Sequence, residues 1–151
     1  MKQVHIECDP DELLVLKLGI QRKFINHHQG KSRIFDALGK MDSQLAMVDE
    51  DPGSVKTSYE KALLFKEEFE GISFFTDESG NKILILKGKL EDWIIAVCKK
   101  HKIKLSTLGL PENPDDLFDV INQKLTNFGK LIDKLIENKN PAILKLKKWL
   151  K

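Results

Sequence analysis

Residues 3–20 read QVHIECDPDELLVLKLGI, and the period of the pattern changes in the middle. Over QVHIEC, Val4 and Ile6 fall on one side of a two-residue repeat, which is the pattern of a strand. At Asp9 the pattern switches. Asp9 reads as an N-cap, Pro10 takes the first helical position, and acids fill the first turn. Leu13, Leu14, Leu16 and Leu18 then supply an apolar face. A strand that runs directly into a helix is the beginning of a β-α unit, so the fold depends on whether that unit recurs.

It does recur. RKFINHHQG (22–30) reads as a second short strand, and KSRIFDALGKM (31–41) as a helix with Ile34, Phe35 and Leu38 inward and Gly39 as its stop. SQLAMVDED (43–51) is a buried strand ended by Pro52-Gly53. VKTSYEKALLFKEEFEG (55–71) reads as helical at least in part, closing at Gly71. In ISFFTDESGNKILILKGK (72–89), two β-rich runs flank Ser79-Gly80-Asn81, which is hairpin chemistry. LEDWIIAVCKKHKI (90–103) is an amphipathic helix, and three more helical patterns follow over 113–125, 128–139 and 141–151. Strands alternating with helices predict an α/β fold: a mainly parallel, Rossmann-like sheet flanked by helices, with a C-terminal helical segment. One domain over 1–151 is expected, with an α/β core over 3–105 and a helical extension over 112–151.

The bulk numbers agree with that size. At 151 residues roughly 68–70% of the unfolded surface can be buried. An apolar fraction of 41% and a charged fraction of 32% describe an ordinary globular chain. Net charge is +2, but residues 123–151 carry eight lysines against Asp133 and Glu137, so the body is acidic and the tail segment basic. Cys8 and Cys98 give neither a disulfide framework nor zinc spacing. No run is long and apolar enough for a membrane span and no signal-peptide pattern opens the chain, so the expected location is the cytoplasm, without membrane partners.

Ligands of an open α/β sheet bind outside the carboxyl ends of its strands. Glu7 ends the first strand, Asp49 and Asp51 end the strand of residues 43–51, and Glu91 opens the helix after KILILKG. If these strands are parallel neighbours, three segments deliver carboxylates to one edge, and Asp11 can turn inward to join them. Clustered carboxylates repel and need a cation or a shared proton. Mg²⁺ or Mn²⁺ meets that need with hard oxygen ligands and retained waters. Glu50 is expected to point outward as a spacer.

These residues resemble the TOPRIM domain of topoisomerases, bacterial-type primases and OLD-type nucleases. VHIECDPDELLVLKLG followed by LAMVDEDPG is similar to its pattern of a Glu ending the first strand, an acid four residues later, and an Asp-x-Asp ending a later strand. ILILKGKLEDWI is similar to the OLD-type version, in which a strand with a basic residue leads into a Glu-containing helix start. The likeness spans roughly residues 3 to 100 and departs at Cys8, where the family places Gly, and at Pro52-Gly53. It implies Mg²⁺-dependent chemistry at a nucleic-acid phosphodiester, nuclease-like, in genome defence or repair. Asp49 and Asp51 would bind metal, Glu7 would be a ligand or general acid/base, and Asp11 and Glu91 would complete the metal positions. Lys87 or Lys89 would stabilise developing negative charge. Lys145, Lys147 and Lys148 would hold nucleic acid, DNA rather than RNA, and a protein partner or a second copy is compatible with the pattern.

Other readings compete for the same residues. Acids in a first helical turn favour the helix dipole with no further role. Asp9, Asp11 and Asp49 with Pro52-Gly53 also resemble a receiver-type phosphoacceptor site, and a non-catalytic binding module is the third reading. HHQGKS is not a phosphate loop, because the required first glycine is Ile25. His27 and His28 read as surface residues, and His5 and His101 have no partner spacing.

Overall fold

In the computed structural model, which describes residues 2–151, the strand β1 (Val4–Ile6) pairs in parallel with β2 (Ile25–His27) on one side and with β3 (Leu45–Asp49) on the other. β3 in turn pairs in parallel with β6 (Lys82–Leu86), with Asp49 opposite Leu86. β5 (Ile72–Thr76) and β4 (Leu64–Phe69) add on antiparallel, giving a six-stranded sheet in the order β2-β1-β3-β6-β5-β4. The helices are α1 (Asp9–Lys17), α2 (Lys31–Leu38), a single turn α3 (Ser58–Lys61), α4 (Leu90–Lys100), α5 (Pro114–Val120), α6 (Leu125–Glu137) and α7 (Pro141–Trp149). The expectation of an α/β layer with a mostly parallel sheet is met.

β3 and β6 are covered on both faces, as parallel strands require. Leu45, Met47, Leu84 and Leu86 join Val4 and Ile6 on the face that packs against α1, α4, α6 and α7. Ala46, Val48, Ile83 and Ile85 point the other way, against Ile34, Phe35 and Leu38 of α2. Leu117, Phe128, Leu131, Leu135 and Leu146 belong to the first of these clusters, so the C-terminal helices share one core with the sheet. Among the described residues no helix is long and apolar enough to cross a membrane.

Two local expectations are corrected. Residues 55–71 are mostly not helical: only Ser58–Lys61 is, and Leu64–Phe69 is a strand. Leu64, Phe65 and Phe69 pair across from Thr76, Phe75 and Ile72, where aromatic and branched side chains pack better than on an isolated helix. Gly71 is therefore a hairpin residue and not a helix stop. Glu70 and Gly71 have φ of 44° and 82°, the paired positive values of a two-residue turn that follows the strand twist. A Cβ on Gly71 would also lie 2.9 Å from Trp93 Cδ1. The second correction is at α1, whose N-cap is Cys8, with Asp9 already helical.

Candidate functional site

The strand ends place the acids. Glu7 follows the last residue of β1, Asp49 is the last of β3, and beyond β6 lies Lys87-Gly88-Lys89. The ladder continues past the sheet: Glu50 donates its amide to Leu86 O at 2.8 Å and Asp51 to Gly88 O at 2.9 Å. Asp51 sits at φ 46°, a left-handed conformation that Asp tolerates, and its carbonyl accepts from Ser54 N and Oγ. Glu50 is the spacer expected between Asp49 and Asp51, turned away from the space that those two line, and its carboxylate accepts from Gly88 N–H at 3.1 Å and ties the two loops together. The result is a cavity of about 410 Å³ over the carboxyl edge, lined by Glu7, Asp49, Asp51, Glu60, Lys31 and Lys89 among others.

Its electrostatics centre on Asp49. Asp49 Oδ1 is buried with no hydrogen-bond partner among the described residues. Burial first, then the neighbouring Asp11, Glu91 and Glu7 carboxylates, raise its pKa to about 8, with the Leu90 amide opposing. Asp11 is buried and does not line the cavity. Its Oδ2 accepts from Cys8 Sγ at 3.1 Å and from Cys8 N at 3.4 Å, while its Oδ1 has no partner. Burial raises Asp11 to about 6, and the two Cys8 hydrogen bonds work against that rise. Glu91 is also buried in the wall, raised chiefly by burial and lowered in part by Lys89. The Cys8 thiol is raised, first by burial and then by Asp11.

The cations divide. Lys31 Nζ bonds Glu50 O at 2.9 Å and Glu60 Oε2 at 3.1 Å, so it is committed to the wall. Lys89 lines the cavity and has no carboxylate partner among the described residues, its Nζ lying 4.3 Å from the Phe118 ring centroid. Lys87 turns elsewhere, into hollows lined by Glu70 and Trp93 and by Glu50 and Glu68. Of the two lysines expected near the acids, the fold brings only Lys89. Lys145 is paired with Glu67 Oε2 at 3.0 Å on β4 and lies against Phe69 and Trp149. Neither it nor Lys147 nor Lys148 lines the acid cavity.

Sequence reasoning missed Lys31, Glu60 and Phe118 at this site. In α5 Leu117 is the buried anchor, and Phe118 next to it points well around the helix from it. His27 is exposed and His28 half-exposed, while His5, which has no partner spacing in the sequence, meets His28 in space. His5 is buried, and its Nδ1 lies 2.8 Å from His28 Nε2 while its Nε2 lies 3.2 Å from Gln44 Oε1.

The donor set suits a hard cation: every acid here offers carboxylate oxygen, and two buried oxygens lack partners. Glu7, Asp49 and Asp51 open onto one space, but among the described residues no three His, Cys, Asp or Glu side chains are grouped so that they could hold a metal ion. No protein-family model, no curated protein and no solved structure matches the chain.

Proposed function

We propose that this chain carries out Mg²⁺- or Mn²⁺-dependent chemistry at a nucleic-acid phosphodiester, as a TOPRIM-like nuclease. One observation carries the reading. Asp49 has a buried carboxyl with an unpartnered oxygen, and it opens onto the same cavity as Glu7 and Asp51, at the carboxyl ends of parallel neighbours. Asp49 and Asp51 would hold the cation with Glu7, and the wall acids Asp11 and Glu91 add negative potential behind them. The bound cation would offset carboxylate repulsion and polarise a phosphoryl oxygen. Lys89, free of any carboxylate, holds negative charge that develops on the phosphate. Glu7 is exposed, and where it is not a ligand it would accept or return a proton at the open side of the cavity. Genome defence or repair is the setting that the TOPRIM likeness suggests.

The test uses supercoiled plasmid and a single-stranded circle with Mg²⁺, Mn²⁺ or EDTA. Cleavage is expected only with a divalent ion, and Asp49→Asn is expected to lose at least the roughly 10- to 100-fold that outer-shell partners alone are worth. Equal cleavage by the two proteins would overturn the assignment. A second reading, a non-catalytic binding module, is favoured by the open arrangement of the acids. Calorimetric titration with Mn²⁺ separates the two, since absence of any binding heat supports the module.

A further inference from the structure

We propose that Phe118 is a stacking platform for one unpaired nucleobase at the mouth of the acid cavity, so that the substrate class is single-stranded nucleic acid. This deepens the phosphodiester reading and rests on it. Among the described residues six large hydrophobic side chains are notably exposed, and two of them, Phe118 at 51% and Val55 at 92%, line this one cavity from segments far apart in the chain. A protein surface tolerates scattered apolar residues, but these two line one cavity together with acids and Lys89, so apolar and charged groups share its wall.

Phe118 is held firmly while remaining open. Leu117 and Ile121 are buried on either side of it in the helical sequence. The Asn113 side chain caps α5 by accepting from the Asp115 and Asp116 amides. The ring is thus presented by a fixed helix. Lys89 Nζ lies 4.3 Å from its centroid, which would set a cation beside the phosphate of a base stacked on the exposed part of the ring. Inside a duplex both faces of each base are covered by neighbours, so only an unpaired or terminal base can use the platform. A cavity of about 410 Å³ falls within the roughly 300–1,000 Å³ of small-ligand sites.

The test is fluorescence anisotropy with fluorescein-labelled oligothymidylate, oligouridylate and a duplex of the same length, in Ca²⁺. Phe118→Ala is expected to weaken binding of the single strands about 5- to 150-fold and duplex binding by less than about twofold. Phe118→Trp is expected to bind at least as well as wild type, and Phe118→Leu to resemble the alanine variant. The thymidylate and uridylate arms distinguish DNA from RNA. Wild-type affinity in Phe118→Ala overturns the proposal. So does an equal loss on duplex, full binding by Phe118→Leu, or a wild-type protein that binds neither single strand. The cleavage assay remains separate. No cleavage with the Phe118 effect intact removes the phosphodiester reading alone, and metal-dependent cleavage with a silent Phe118 removes the platform alone.

Discussion

Cys8 donates its thiol to Asp11 Oδ2 at 3.1 Å, and the other oxygen of Asp11 is buried beside it with no partner. The residue at the helix cap therefore holds one half of a buried carboxyl and leaves the other half unsatisfied. Cys8→Ala removes one buried hydrogen bond and is expected to cost about 0.5–1.5 kcal/mol, and to raise Asp11 further above its present value near 6. Cys8→Ser retains a donor and is expected to stay close to wild type. Urea unfolding of the three proteins at neutral pH checks the order.

The acid cluster sets a pH slope of definite sign. Asp49 and Asp11 are raised to about 8 and about 6 from a reference of 3.8. Between the reference and the raised values the folded chain holds protons that the unfolded chain has released, so their contribution to stability falls as pH rises. Melting temperature is expected to drop across roughly pH 4 to 8, and Asp49→Asn to remove most of the drop. Added Mg²⁺ is expected to lessen it if the cavity takes the ion. Thermal scans in EDTA and in Mg²⁺ provide the comparison, and a flat wild-type profile would contradict the burial of Asp49.

His5 and His28 act in the opposite direction. Both are lowered, His5 chiefly by burial and His28 by burial and then by His5. Gln44 Oε1 already accepts from Gln3 N, so it is an acceptor for His5 Nε2–H, and His28 Nε2 then donates to His5 Nδ1. Below the unfolded value of about 6.5 the unfolded chain binds protons that this pair resists, so the pair's own contribution to stability falls as pH drops and offsets part of the gain from the acids. His5→Gln, which does not titrate, is expected to flatten that limb. The readout is the urea midpoint from pH 7.5 down to 5, approximate bounds set by the histidine range.

Two phenylalanines separate stability from surface chemistry. Phe128 is fully buried in the shared core, and Phe128→Ala is expected to cost about 3–5 kcal/mol. Phe118→Ala touches a half-exposed ring and is expected to stay within about 0.5 kcal/mol. Paired chemical denaturation curves show whether the gap is as large as their burial implies.

Gly71→Ala places a side chain at φ 82° and within 2.9 Å of Trp93 Cδ1. The expected cost is about 1–3 kcal/mol, with loss of Trp93 burial visible as a red shift in tryptophan emission. An unchanged protein would argue against the β4-β5 turn.

The parallel strands and their helices could be read because QVHIEC, SQLAMVDED and KILILKG keep a local pattern that tertiary packing reinforces. The acid edge followed from the same alternation plus the rule for strand ends, and Glu7, Asp49 and Asp51 do share a cavity. β4 escaped because LLFKEEF has helical spacing as well as strand propensity, and only the partners Phe74, Phe75 and Ile72 decide between them. Lys31, Glu60 and Phe118 reach the site across the sheet and its flanking helices, and no spacing in the sequence encodes such an approach. Lys87 and Lys89 differ by two residues, but the turn at Gly88 sends them to different hollows.

The C-terminal helices supply both core and cavity wall, and this orders events during synthesis. Glu7, Asp49 and Asp51 leave the ribosome long before Phe118, and α5 is buried by contacts with the same cluster that Phe128 and Leu146 complete. A growing chain therefore carries its carboxylates without the finished cavity, and the site is complete only when the last helices have packed.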